Sequence, residues 1–262
     1  MVDIGQENPR KACRFPSYSE ENRIDIWSAR YDNLERYFRV LSDIVSQEEQ
    51  KTASTFRTAA DARKYVLRHG AVRIILAHYI NQSTETIPLL IGPNGKPCLD
   101  KEDSCSDISF NLSHTSEMIL IGITKKRRIG VDVVKVDPFY RFHESADYIL
   151  TSGEKAFLKK IEPSLRYEIF FRIWTLKEAI LKATGSTLTM MKKIDLSEII
   201  QDIIFSPDYL MKLLNTHPSF LIWQFKSGPG HRGAIAIEVD NEEKNTKRHP
   251  DFFKERFFSP FQ

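Results

Sequence analysis

Arg172-Ile-Trp-Thr-Leu-Lys-Glu-Ala-Ile-Leu-Lys-Ala-Thr-Gly185 reads as the main part of a helix, with Gly185 suited to end it in the left-handed conformation. Ile169, Ile173, Leu176 and Ile180 recur at helical spacing and predict a buried stripe. Phe171, Trp174 and Leu181 predict a second apolar side, so the helix should be covered on both. Glu178 and Lys182 are four apart and share a face. A solvated pair of this kind is worth ~0.2–0.5 kcal/mol, whereas a carboxylate enclosed by apolar neighbours needs a partner. The helix alone leaves a structural pair and a reactive site equally open.

The composition around this helix is that of a soluble protein. Of 262 residues, 41% are hydrophobic and 28% charged, enough for one large domain or two smaller ones. A net charge of +3 gives little general affinity for a polyanion, which argues against a nucleic-acid partner. Cys13, Cys98 and Cys105 show no C-x-x-C spacing, so neither a disulfide framework nor a cysteine zinc site is expected. The first residues carry no apolar core of a secretory signal. No apolar run approaches the ~18 residues of a membrane span. The expectation is a cytoplasmic protein with no membrane partner.

Upstream of the helix, residues 1–20 are polar and expected to be loosely held, and Ile24, Ile26 and Trp27 predict a short strand. Ser46-Gln-Glu-Glu49 has the capping-box pattern of a helix start. A longer helix is expected from about Ala60 to Tyr79, with Ala62, Val66, Leu67, Gly70, Ile74 and Ala77 on its buried side and Arg57, Arg63, Lys64, Arg68 and Arg73 on a solvated one. Gly92-Pro-Asn-Gly-Lys-Pro97 is dense in turn residues and sets Lys96 on a loop tip. Ile108–Leu112, Met118–Ile123 and Ile129–Val134 predict three strands with short turns, consistent with an antiparallel meander. Thr151-Ser-Gly-Glu154 predicts a second capping box. Phe220–Phe225 and Ala234–Val239 predict two closing strands, followed by a charged and aromatic tail over 241–262. Asp132 stands within Ile-Gly-Val-Asp-Val-Val and shares one strand face with Gly130 and Val134. An acid in so apolar a strand calls for a hydrogen-bonded, metal-binding or catalytic role.

Together these residues resemble a known family. Gly130-Val-Asp-Val-Val-Lys135 followed by Trp174-Thr-Leu-Lys-Glu-Ala-Ile-Leu-Lys182 is similar to the paired signature of the 4′-phosphopantetheinyl transferases. Gly95-Lys-Pro97 and Phe110-Asn-Leu-Ser-His114 resemble motifs of the longer, Sfp-type branch. The resemblance implies an α+β fold in which two similar α+β halves form a pseudo-dimer, here over 21–124 and 125–240, with the site in the cleft between them. It implies transfer of the 4′-phosphopantetheine arm of coenzyme A to a serine of an apo acyl, peptidyl or other carrier protein, with Mg²⁺ and release of adenosine 3′,5′-bisphosphate. A two-half chain of this kind would suffice as a monomer.

By the same resemblance, Asp132 and Glu178 would be the Mg²⁺ ligands, Glu178 or a water it orients the base, and Lys182 a pyrophosphate ligand that stabilises the leaving group. Arg63, Lys64, Lys96, Pro97, Ser113 and His114 would bind the coenzyme. One departure stands out. Many members carry a second acid two residues after the first, and here that residue is Val134, which makes three-carboxylate coordination unexpected. Two other functions use some of the same residues: a metal-dependent nuclease, opposed by the absence of a Glu-x-Lys spacing, and a non-catalytic coenzyme A or carrier-protein binder.

Overall fold

Side-chain caps start the helices where the residue pattern predicts them. The computed structural model describes residues 23–92, 97–100, 107–206, 209–214, 218–239 and 253–258. Lys96, the 1–20 segment and most of the tail therefore lie outside the described residues. The chain divides into two compact units, one containing Tyr31–Ile87 and the other Glu21–Arg30 with Pro88–Phe257.

The first unit holds α1 (Tyr31–Glu35), α2 (Phe38–Ile44), α3 (Gln47–Ser54) and α4 (Ala59–Ile80). The Ser46 hydroxyl accepts from the Glu49 amide at 3.2 Å, and Glu49 accepts from the Ser46 amide at 2.8 Å, completing the expected box. A Cβ on Gly70 would lie 2.8 Å from the Leu41 carbonyl oxygen, so glycine there lets α4 lie close against α2. Val66 and Leu67 are buried as predicted, but Ala62, Ile74 and Ala77 are only half-buried and Arg73 is buried instead. Arg73 therefore departs from the solvated basic face. Its Nε donates to Glu49 Oε2 at 2.7 Å, while Nδ1 of His69 lies 2.9 Å from Glu49 Oε1.

This cluster should make the stability of the protein fall in acid. Burial alone would raise the Glu49 carboxyl, but bonds from His69, the Ser46 amide and Arg73 outweigh it and hold the pKa at about 2, against an ordinary 4.5. Burial pushes the His69 imidazole down from 6.5. A neutral His69 then donates its Nδ1 proton to the carboxylate. Both shifts mean that the unfolded chain takes up these protons at higher pH than the folded one. Their stabilisation is complete above the ordinary values and is lost as pH falls through them. Glu49 should lose about 3 kcal/mol between pH 4.5 and 2. Thermal melts across that window should show a steep decline in the wild type and a shallower one in Glu49→Gln; parallel curves would remove Glu49 as the cause.

The second unit contains β1 (Ile24–Arg30), β2 (Leu89–Ile91), β3 (Pro97–Leu99), β4 (Ile108–His114), β5 (Met118–Lys125) and β6 (Ile129–Lys135). These are followed by α5 (Phe142–Ile149), α6 (Ser152–Lys160), α7 (Arg166–Thr184), α8 (Ile200–Phe205), β7 (Tyr209–Leu214), β8 (Ser219–Lys226), β9 (His231–Val239) and β10 (Phe253–Phe257). One sheet has the order β10-β1-β5-β4 and another β6-β9-β8-β7, with β2 and β3 forming a separate pair. The strands at 108–135 are thus not one meander. β4 and β5 pair, but β6 leaves their sheet to pair with β9. Both four-stranded sheets belong to the same compact unit. Part of the tail docks as β10, parallel to β1.

The second sheet is buried on both faces. Phe220, Ile222, Ala234 and Ala236 join Ile169, Ile173, Leu176 and Ile180 of α7 in one core cluster. Val131, Val133, Trp223, Phe225, Ile235 and Ile237 meet Ile24, Ile26, Met118 and Leu120 of the first sheet in another. The predicted stripe of α7 is therefore the layer over β6 and its neighbours, and Phe171 and Leu181 are buried as well. Among the described residues no helix is long and apolar enough to cross a membrane.

Candidate functional site

The site is built where β6 lies under α7. A Cβ on Gly130 would fall 2.0 Å from the Ala179 carbonyl oxygen and 2.3 Å from the Ala183 amide nitrogen. Only glycine permits the backbones to approach this closely. Two residues later, on the same face of the strand, Asp132 meets the residue after Leu181: Lys182 Nζ donates to Asp132 Oδ1 at 2.6 Å. The G-x-D spacing and the last turn of the helix are thus parts of one contact. Lys182 pairs with an acid from β6, a partner that its spacing to Glu178 does not suggest.

A second strand completes the arrangement. The Ser113 hydroxyl donates to Asp132 Oδ1 at 2.8 Å and accepts from Lys182 Nζ at 3.0 Å. It also accepts the amide of Val133 at 3.2 Å, while Asn111 Oδ1 accepts the amide of Val131 at 2.9 Å. The alternation of Phe110 and Leu112 predicts an apolar inner face for β4, yet those two are half-buried while Asn111 and Ser113 are buried. The polar face is inside because it meets β6. Asn111 was legible only as a member of the i, i+2 pair with Ser113; nothing in the sequence shows that a strand edge faces both.

Glu178 is half-buried one turn before Lys182. His114 ends β4 and is exposed. Pro97 opens β3 opposite Ile91. Arg63 and Lys64 stand on α4 in the helical unit, where Arg63 pairs with Glu35 at 2.5 Å and covers the Phe38 ring at 3.6 Å. Val134 packs against the core cluster under α7, so an apolar residue is accommodated two positions after Asp132. Among the described residues no three His, Cys, Asp or Glu side chains are grouped to enclose a metal by themselves. The Asp132 contacts all fall on Oδ1, and Oδ2 has no protein hydrogen-bond donor among the described residues. A carboxylate with one oxygen clear suits a hard cation that completes its shell from phosphates and water.

Two further buried charges hold α7 in place. Lys177, next to Glu178, is fully buried, and its three donors reach Glu154 Oε2 at 2.6 Å, the Ile149 carbonyl at 2.8 Å and the Met191 carbonyl at 3.3 Å. Burial pushes its pKa down against the pull of Glu154. Glu154 also closes the predicted capping box and accepts the Leu196 amide at 2.9 Å. Arg172 donates to Gln224 Oε1 at 2.8 Å and to the Ile203 carbonyl, tying the helix to β8 and α8. The capping signal marks Glu154 as a helix start; its pairing with Lys177 spans 23 residues and leaves no periodic trace.

Comparison with known proteins identifies the neighbours of this chain. A family model described as the 4′-phosphopantetheinyl transferase superfamily matches residues 128–237, and one described as 4′-phosphopantetheinyl transferase, N-terminal, matches 27–125. The 4′-phosphopantetheinyl transferase HetI of Nostoc sp. is 27% identical over 67% of this chain and 74% of its own length. AcpT of Escherichia coli K12 is 30% identical over 48% and 61%, and Gsp of Aneurinibacillus migulanus is 28% identical over 56% and 59%. The aligned region thus spans about three fifths of AcpT and Gsp.

Proposed function

This chain belongs to the 4′-phosphopantetheinyl transferases, of the two-part Sfp-like type, and from that premise we propose that it transfers the phosphopantetheine arm of coenzyme A to a serine of an apo carrier protein. The observation that carries the reading is the contact of Asp132 Oδ1 with Lys182 Nζ at 2.6 Å, which joins the family's strand signature to its helix signature. Family membership makes the protein a transferase; the residue roles that follow are part of the proposal.

In the reaction, the carrier serine oxygen bonds to the phosphorus bearing the pantetheine arm. The bond from that phosphorus to adenosine 3′,5′-bisphosphate breaks, and the serine proton passes to Glu178 or to a water that Glu178 holds. Lys182 meets the pyrophosphate and offsets charge on the leaving oxygens. Its ammonium is already held by Asp132 and Ser113, so little reorganisation accompanies the reaction. Asp132 and Glu178 would hold Mg²⁺, which supplies Lewis-acid stabilisation of the phosphoryl oxygens. With Val134 in place of a second strand acid, the protein would supply two carboxylates at most, and water or phosphate oxygens would supply the other ligands. By the family resemblance, Lys96, Pro97, His114, Arg63 and Lys64 are the proposed coenzyme ligands, the cations acting on its phosphates. The pseudo-dimer of halves at 21–124 and 125–240, acting as a cytoplasmic monomer, belongs to the same reading.

The test is mass spectrometry of apo acyl and peptidyl carrier proteins after incubation with the purified protein, Mg²⁺ and coenzyme A. One arm should be added per carrier, and none when Mg²⁺ is chelated. Carriers of unchanged mass, from a protein shown to bind coenzyme A, would replace this reading with that of a non-catalytic binder.

A further inference from the structure

We infer that Asn111 and Ser113 are positioning residues, which fix the edge of β6 and set the orientation of Asp132 and Lys182, and that the Ser113 hydroxyl is not a ligand of the coenzyme's 3′-phosphate. This inference rests on the transferase reading and assigns the work of one strand within it.

β6 is an edge strand of its sheet and β4 an edge strand of the other. The Val131 and Val133 amides are buried donors that no backbone ladder to β4 satisfies, and buried amides need acceptors. Asn111 and Ser113, two apart on one face of β4, match the two-residue spacing of those amides and accept from them at 2.9 and 3.2 Å. The strand that carries Asp132 is thereby held on both sides, by β9 through its ladder and by β4 through side chains.

Ser113 does more than its neighbour. A serine hydroxyl has one proton to donate and two lone pairs to accept with. The proton goes to Asp132 Oδ1, and the lone pairs take the Val133 amide and Lys182 Nζ. That capacity is full. To donate to a phosphate, Ser113 would have to release Asp132. Both contacts to Asp132 lie on one oxygen, so the hydroxyl and ammonium together turn the carboxylate and keep Oδ2 clear. His114, exposed at the end of the same strand, remains suited to meet the coenzyme.

The experiment compares wild type, Ser113→Ala, Ser113→Thr and Asn111→Ala, with coenzyme A and 3′-dephospho-coenzyme A as donors, over a range of Mg²⁺ concentrations. Binding of both donors is also measured by calorimetry without metal. Ser113→Ala should lower kcat by about 10–100-fold, as does loss of a group that orients a metal ligand, and should raise the Mg²⁺ concentration needed. The preference for coenzyme A over its 3′-dephospho form should stay within about twofold of wild type in both assays, because this change leaves the 3′-phosphate contacts in place. Ser113→Thr keeps the hydroxyl and should recover most of the turnover. A Ser113→Ala protein that loses the 3′-phosphate preference, or that keeps wild-type kcat and Mg²⁺ dependence, overturns the inference. Should alanine prevent folding, Ser113→Cys is read on the same measures. A wild type that modifies no carrier would instead count against the transferase reading.

Discussion

Asp132→Asn is expected to lower arm transfer by about 10³-fold or more, the scale associated with several kcal/mol of lost transition-state stabilisation. The substitution keeps the shape and one acceptor oxygen but removes the charge that a metal and Lys182 both need. It should also destabilise the protein by about 2–4 kcal/mol, because the Lys182 ammonium, only 15% exposed on its side chain, loses its counter-charge. A double-mutant cycle separates the two effects. Adding Lys182→Met to Asp132→Asn removes the stranded charge and should restore much of the thermal stability while leaving transfer absent. A structural ion pair would behave differently: the double variant would regain stability and activity together. Turnover within tenfold of wild type in Asp132→Asn alone would remove Asp132 from the site.

Gly130→Ala should be the most damaging single-methyl change in the second sheet. Its Cβ would enter the backbone of α7, 2.0 Å from one main-chain atom and 2.3 Å from another, and no side-chain rotation can relieve that contact. A cost of about 3–5 kcal/mol is expected, at the high end for overpacking. The melting temperature should fall by about 10 °C, and transfer should be lost at temperatures where the variant remains folded, since Asp132 and Lys182 ride on the two elements forced apart. Gly185 is the control. It sits at φ +69° with nothing near its missing Cβ, so alanine there should cost only about 1–2 kcal/mol, for the left-handed backbone. Equal losses at the two positions, by thermal denaturation, would contradict the close-packing account of Gly130.

The helix at 166–184 and the strand carrying Asp132 were legible because each satisfies a local rule. Ile169, Ile173, Leu176 and Ile180 follow the helical period, and the two capping boxes depend on residues three apart. The same local rules misplace β6. Short turns on either side suggest a meander, but hydrogen-bond partners in a sheet are chosen by packing. Val131 and Val133 gain more by facing the first sheet than by extending it. Arg73 illustrates a related limit. Charge and spacing place it on a solvated face, whereas it is buried against a carboxylate that lies far away in the chain, and Lys177 is buried against another.

By itself the sequence determined the helices and strands at 59–80, 108–135, 166–184 and 219–239, and, through four motifs in order, pointed to the family and to candidate acidic and basic residues for its site. Those are properties of neighbours along the chain, or of residue types in a fixed order. Only the tertiary structure decided which side chains meet: Lys182 with Asp132 from β6, Ser113 between them, and Asn111 on the amide of Val131. The reason is that Gly130 lets α7 close on β6 while two sheet edges bring β4 beside it. A hydrogen bond depends on distance in space, and residues 50 and 69 positions apart acquire it only when the layers pack.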